Sequence, residues 1–136
     1  RGKSYNTDFY FNINNAIGYL RAQGSWNDFN LSSAIPSLIE MDKTAPTSIT
    51  DKNNPNHGLK NHTIKILRNG AYIVFDFEYI GSLEMLEAVK KWFEDHKGTS
   101  RRMKADSYRI ETEEHKPFGE ESEFRSYSAE VVLWWD

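Results

Sequence analysis

An Asn69-Gly70 dipeptide between two runs of β-branched and aromatic residues constrains this fold more than any other sequence feature. The runs cover residues 62–68 and 71–79. Both central residues of a type I′ turn need positive φ, which Asn and Gly adopt more readily than other residues. The pattern therefore predicts a β-hairpin, and with it a sheet, in the middle of the chain.

The turn also predicts the register of the hairpin. With Asn69 and Gly70 as the turn residues, one set of side chains shares a face: His62, Ile64, Ile66, Ile73, Phe75 and Phe77. Such a face either joins a core or lines a ligand pocket. His62 is polar and needs a hydrogen-bond partner there. It is either a strand-end residue that reaches solvent at the sheet rim, or a polar anchor for an amphipathic ligand.

Other periodic segments surround the hairpin. Ser82 is a good N-cap for a helix over 83–96, whose apolar stripe is formed by Met85, Leu86, Val89, Trp92 and Phe93. Residues 101–112 and 124–135 alternate and predict two more strands. Residues 8–22 have helical spacing and end before Gly24, whereas Pro36 within 31–41 favours an edge strand or a bent strand.

These elements predict an α+β domain, mainly antiparallel β with flanking helices. The length of 136 residues fits a single domain over 1–136. Because the strands are few and the ring-rich face is long, we expect the sheet to curl into a partial barrel. Gly24-Ser25-Trp26 has the Gly-x-Trp form that opens the first strand of lipocalin-type barrels.

Composition and motifs argue against an enzyme. The formal charge is −3, no cysteine is present, and no nucleophile elbow, phosphate loop or metalloprotease motif occurs. His57 and His62 lack a third metal ligand, and the pairs Glu113-Glu114 and Glu120-Glu121 are expected on a solvated surface. We therefore expect no catalytic residue, no metal and no cofactor. The cluster Arg101-Arg102-Lys104 either attracts an anionic group or is a solvated face.

The hairpin and the helix after it resemble the ToxS-type periplasmic proteins, the partners of ToxR-like membrane transcription regulators. The resemblance rests on Leu67–Val74, on the following helix and on Ser100–Met103, and Trp26 has a counterpart near the start of that family. It spans Trp26 to Ile110. The loop from Thr44 to Gly58 and the Trp134-Trp135-Asp136 ending depart from the family pattern.

The resemblance implies a non-enzymatic co-regulator at the periplasmic face of the bacterial inner membrane. It implies an anchor helix upstream, a lipocalin-like barrel completed by the periplasmic domain of a ToxR-like regulator of the VtrA type, and activation of virulence genes for type III secretion. It further implies a hydrophobic chamber that receives a bile salt, without direct contact to nucleic acid. The residues expected to line this chamber are Trp26, His62, Ile64, Ile66, Ile73, Phe75 and Phe77.

Two other classes of function remain open from the sequence. A stand-alone interaction protein, such as a toxin-immunity protein or a minor pilin-like subunit, is compatible with a small acidic α+β domain. A small hydrolase would need catalytic side chains that the pattern does not supply. A basic-flanked membrane helix upstream of Arg1 would favour the co-regulator, and an initiator Met there would favour the stand-alone protein.

Overall fold

The computed structural model describes residues 9–26, 28–47, 62–67 and 71–136. Its elements, in chain order, are β1 (Phe9–Phe11), α1 (Ile13–Gln23), α2 (Leu31–Thr44), β2 (Thr63–Leu67), β3 (Tyr72–Ile80), α3 (Leu83–Asp95), α4 (Lys97–Arg102), β4 (Ser107–His115) and β5 (Ser126–Trp134). The strands form one antiparallel sheet in the order β1-β2-β3-β5-β4. The predicted α+β class, an antiparallel sheet with flanking helices, is confirmed. No helix in these ranges is long and apolar enough to cross a membrane.

The register predicted for the hairpin is confirmed. Ile66 lies opposite Ile73, and Ile64 lies opposite Phe75. His62 comes directly before β2, and its ring centroid is 5.3 Å from that of Phe77. The predicted Asn69-Gly70 turn lies outside the described residues.

The core lies between one face of the sheet and the helices. Trp92 of α3 meets the rings of Phe75 and Phe77 edge-on, at centroid distances of 5.3 and 5.6 Å. The inward-facing residues of β5 are buried as their alternation predicts, and so is Trp135 directly after the strand: Tyr127, Ala129, Val131, Leu133 and Trp135. We call this side the inner face of the sheet, and the opposite side the outer face.

Helix α3 follows its sequence signals closely. The Ser82 hydroxyl accepts a hydrogen bond from the backbone N–H of Met85 at 3.1 Å, so the predicted N-cap is confirmed. The buried residues of the helix are the predicted stripe: Met85, Leu86, Val89, Trp92 and Phe93. Helix α4, which extends to Arg102, was not predicted. Because of this helix, the next strand begins at Ser107 and not at the predicted residue 101.

The prediction of a helix over 8–22 is wrong at its beginning. Phe9–Phe11 form β1, which pairs with β2, and the helix begins only at Ile13. The side-chain oxygen of Asn12 accepts from the backbone N–H of Asn15 at 2.8 Å, and this cap fixes the start of the helix. Gly24, with φ of 81°, ends the helix as predicted.

The prediction of an edge or bent strand over 31–41 is wrong, because these residues belong to helix α2. Proline removes one hydrogen bond from a helix, and in this helix the affected carbonyl is that of Ser32. Both Pro36 and Ser32 are exposed, so water can satisfy the carbonyl. The buried positions have helical spacing: Ala34, Ile35, Ser37, Leu38 and Met41.

The prediction of a curled sheet that forms a lipocalin-like barrel is wrong for the described chain. Strands β1 and β4 are the two edges of the sheet and do not pair with each other, so the sheet stays open. Helices α1 and α3 pack on the inner face, and their side chains fill the space that a barrel would enclose. Trp26 opens no named strand. It bridges to Phe29 in the connection between α1 and α2.

We expect Phe75→Ala to lower the free energy of unfolding by about 3–5 kcal/mol, because Phe75 is fully buried between the sheet and Trp92. Urea denaturation followed by circular dichroism measures the change. Phe118→Ala is the matched control, since Phe118 is 74% exposed, and it should cost less than about 0.5 kcal/mol. A loss below about 1 kcal/mol for Phe75→Ala would mean that Phe75 borders a cavity and not a packed core.

Candidate functional site

The residues predicted from the hairpin register lie together in the core. Five of them are at most 2% exposed: Ile64, Ile66, Ile73, Phe75 and Phe77. They pack in one cluster with residues of α1, α2 and α3. Trp26 is only partly buried and stacks on Phe29, with ring centroids 5.9 Å apart. A ligand could reach the hairpin face only if the helices moved away from the sheet.

His62 does not reach solvent at the sheet rim, since its side chain is only 1% exposed. Its Nε2 lies 2.8 Å from Oδ1 of Asp42, near the end of α2. Its Nδ1 is buried and has no hydrogen-bond partner among the described residues. His62 therefore ties α2 to the sheet. Asp42 was not predicted as a site residue, because a contact between residues 20 positions apart leaves no local pattern in the sequence.

A second polar cluster joins α2 to α3 and α4. The Trp92 indole donates to the Met41 carbonyl at 3.1 Å, and Nε2 of His96 lies 2.8 Å from the Thr44 hydroxyl. Burial lowers the pKa of His96, against the opposing effect of the nearby Glu40 carboxylate. The neutral imidazole is therefore favoured, and its Nδ1 lies 2.9 Å from the hydroxyl of Thr99. The polar groups of this cluster are hydrogen-bonded to one another, so we assign them a structural role in holding α2 against α3 and α4.

The outer face carries a groove of about 690 Å³. Its floor and walls come from β1 to β5, and its chemistry depends on six side chains: Lys65, Asp76, Glu78, Glu111, Glu113 and Glu130. Five are carboxylates and one is an ammonium. We call this surface the acidic groove. Its polarity distinguishes it from the inner face of the same strands, which is almost wholly apolar.

Three carboxylates of the acidic groove stand in a row across neighbouring strands. Asp76 of β3 lies opposite Glu130 of β5, which lies opposite Glu111 of β4. Like charges directly opposite each other destabilise a sheet unless they are compensated. Lys65 Nζ donates to Glu130 at 2.6 Å, and Arg109 Nε donates to Glu111 at 2.7 Å. No hydrogen bond or ion pair from a described residue reaches the Asp76 carboxylate.

The electrostatics of Asp76 follow from this arrangement. Burial raises the pKa of its carboxyl, and the carboxylates of Glu130 and Glu78 raise it further. The Lys65 ammonium lowers the pKa of Asp76, but by less than burial and the two carboxylates raise it. Burial by itself would lower the pKa of Lys65, but Glu130 and the other nearby groups raise it above its ordinary value. The ammonium therefore stays charged, while the Asp76 charge is poorly compensated.

Lys65, Asp76 and Glu130 were not predicted as site residues. Asp76 and Glu130 each interrupt an apolar stretch of a central strand, and that interruption was the available signal. It shows that the opposite face of the strand is polar. It does not show that the charged positions coincide across three strands, because that depends on the register of β3 with β5 and of β5 with β4.

We expect Asp76→Asn to raise the free energy of unfolding at pH 7 by up to about 1 kcal/mol, the scale of a cross-strand charge pair. Because the pKa of Asp76 is higher in the folded chain, its ionisation opposes folding. The resulting loss of stability is absent at a pH below the ordinary pKa of 3.8, and it reaches its full size at a pH above the pKa of the folded chain. Denaturation of both proteins at pH 3 and pH 7 measures the gain, and an equal gain at both pH values would contradict this assignment.

Comparisons with protein-family models, with curated proteins and with solved structures find no match to this chain.

Proposed function

We propose that this chain is a non-enzymatic interaction domain that binds the periplasmic domain of a ToxR-type membrane transcription regulator along strand β4. The observation that carries the proposal is that β4 is a long edge strand without a buried residue. The strand is nine residues long, forms an edge of the sheet and contains no buried residue. An edge strand offers unpaired backbone groups to which a strand of another chain can add.

The inner side of β4 supports the same proposal. The inward-facing residues of the neighbouring β5 are buried, whereas Tyr108 and Ile110 of β4 remain partly exposed. Tyr108 is held by α3, since its ring stacks on Phe93 at 4.4 Å and its hydroxyl donates to the Phe93 carbonyl. Ile110 lies further along the strand, towards its carboxyl end. A partner that extends the sheet beyond β4 would cover the apolar surface that the helices leave partly open.

The finer parts of the proposal come from the resemblance, which within the ToxS-type proteins is to VtrC. They are an upstream membrane anchor, a periplasmic location, a barrel completed by strands of the regulator, and a bile salt as the signal. A chamber formed jointly with the regulator fits the open sheet better than a chamber within this chain, because the hairpin face is covered by helices.

A stand-alone interaction protein, such as a toxin-immunity protein or a minor pilin-like subunit, is the second candidate. The acidic groove favours it, because five carboxylates on one face attract a partner with a basic surface. The two candidates use different faces of the sheet, although β4 contributes Glu111 and Glu113 to the groove. Mapping the contact surface therefore separates them.

We expect Ile110→Asp to weaken the complex with the regulator's periplasmic domain about tenfold or more, because it places a charge in the apolar contact beside β4. Biolayer interferometry with the purified regulator domain measures the affinity. Ile39→Asp is the matched control, since Ile39 is 44% exposed on α2, away from β4. Circular dichroism confirms that both variants are folded.

Three results of this experiment would contradict the proposal. Absence of a complex with the unaltered chain would remove the regulator as the partner. Equal weakening by the two variants would remove β4 as the contact. Weakening by Glu78→Lys, which lies in the acidic groove on the central strand β3, without any effect of Ile110→Asp would favour the second candidate.

We further expect taurocholate to bind the complex with the regulator but not the isolated chain, because the predicted chamber residues of this chain are packed in its core. Titration calorimetry of both samples measures the binding. Saturable binding by the isolated chain that is lost in Phe75→Ala would place the bile salt within the core and contradict a shared chamber. Absence of binding by the complex would remove bile salt as the ligand.

A further inference from the structure

Asp76 is an exception among the ionisable groups of the acidic groove. The residue is only 6% exposed, yet its carboxylate borders the groove and receives no hydrogen bond from any described residue. A buried ionised group without a partner costs free energy, and buried charges in proteins are normally paired. The geometry therefore leaves an acceptor at the edge of the groove that no described residue satisfies and that a bound ligand could reach.

The neighbouring cations cannot supply that donor without exposing other carboxylates. Lys65 Nζ is bonded to Glu130 at 2.6 Å. Arg109 Nε is bonded to Glu111 at 2.7 Å on the next strand. If Lys65 turned to Asp76, it would leave Glu130 uncompensated in the same row. Among the described residues, the row of three carboxylates therefore has ion-pair partners for Glu130 and Glu111 but none for Asp76.

The chemistry of the groove favours an organic cation over a metal ion. In the described part of the chain, no group of three or more His, Asp or Glu side chains is placed to hold a metal ion. Tyr10 and Tyr79 line the same groove as the carboxylates. The Tyr10 ring already attracts a cation, since Lys65 Nζ lies 5.8 Å from its centroid. Aromatic rings beside carboxylates are a setting that suits an alkylammonium group.

We propose that the acidic groove is a binding site for a primary alkylammonium group, whose N–H donors bond to the Asp76 carboxylate beside the Lys65–Glu130 ion pair. The group is carried either by a free aliphatic diamine or by a lysine side chain of a peptide. The alkyl part lies against Tyr79, and the remaining carboxylates of the groove attract a second positive charge. Asp76 lies on β3, two strands away from the edge strand β4, and the site does not require the proposed regulator contact.

The test is a titration of the unaltered chain with 1,4-diaminobutane, followed by the amide chemical shifts of residues in β3 and β5. Low ionic strength is needed, because salt screens exposed charges. Asp76→Asn should weaken the binding about tenfold, since the hydrogen bond to a charged acceptor is lost. Glu123→Gln is the matched control: it removes the same charge from an exposed position outside the groove and should change the affinity less than about twofold.

Further ligands distinguish the sources of the cation. Trilysine that binds more tightly than the diamine, and depends equally on Asp76, would identify a peptide as the source. 1-Butanol lacks the ammonium group and should not bind. The proposal is overturned if neither amine causes a saturable shift below about 10 mM, if Asp76→Asn binds as tightly as the unaltered chain, or if Mg²⁺ displaces the amine at equal concentration. None of these results bears on the regulator contact.

Discussion

The packing of Trp92 against Phe75 and Phe77 holds the two layers of this domain together. The two phenylalanines lie on the inner face of β3, which pairs with β2 on one side and with β5 on the other. Trp92 lies on the apolar stripe of α3. Because three rings from a central strand and a helix fill this contact, the orientation of α3 on the sheet is fixed there, and the side chains of α3 cover this part of the inner face.

Polar contacts then position α2 around this apolar centre. The Trp92 indole donates a hydrogen bond to the Met41 carbonyl, and His62 is hydrogen-bonded to the Asp42 carboxylate. Met41 and Asp42 are consecutive residues near the end of α2. The first is therefore held by α3, and the second by the residue that precedes β2. Each of these groups would cost free energy if buried without a partner. Their pairing restricts where α2 can lie, in addition to the apolar burial of the helix.

The outer face differs from the inner face because it carries charge on central strands. Such charge is expensive where neighbouring side chains exclude water. Lys65 compensates Glu130, but Asp76 has no such partner among the described residues. The outer face is therefore polar, as expected for the face of an antiparallel sheet that no described helix covers, and the proposed alkylammonium site depends on this polar row.

The sequence by itself determined the features that depend on local backbone preference. The register of Ile64 with Phe75, the Ser82 cap of α3 and the inward alternation of β5 follow from periodicity and from turn or cap chemistry within a few residues. Only the tertiary structure decided the features that depend on distant partners. Pro36 stays within α2 because it faces water there, Phe9–Phe11 become a strand because β2 offers an edge, and Asp76 faces Glu130 because β3 pairs with β5 in that register. Periodicity describes one element at a time, whereas the environment of a side chain depends on which elements pack beside it.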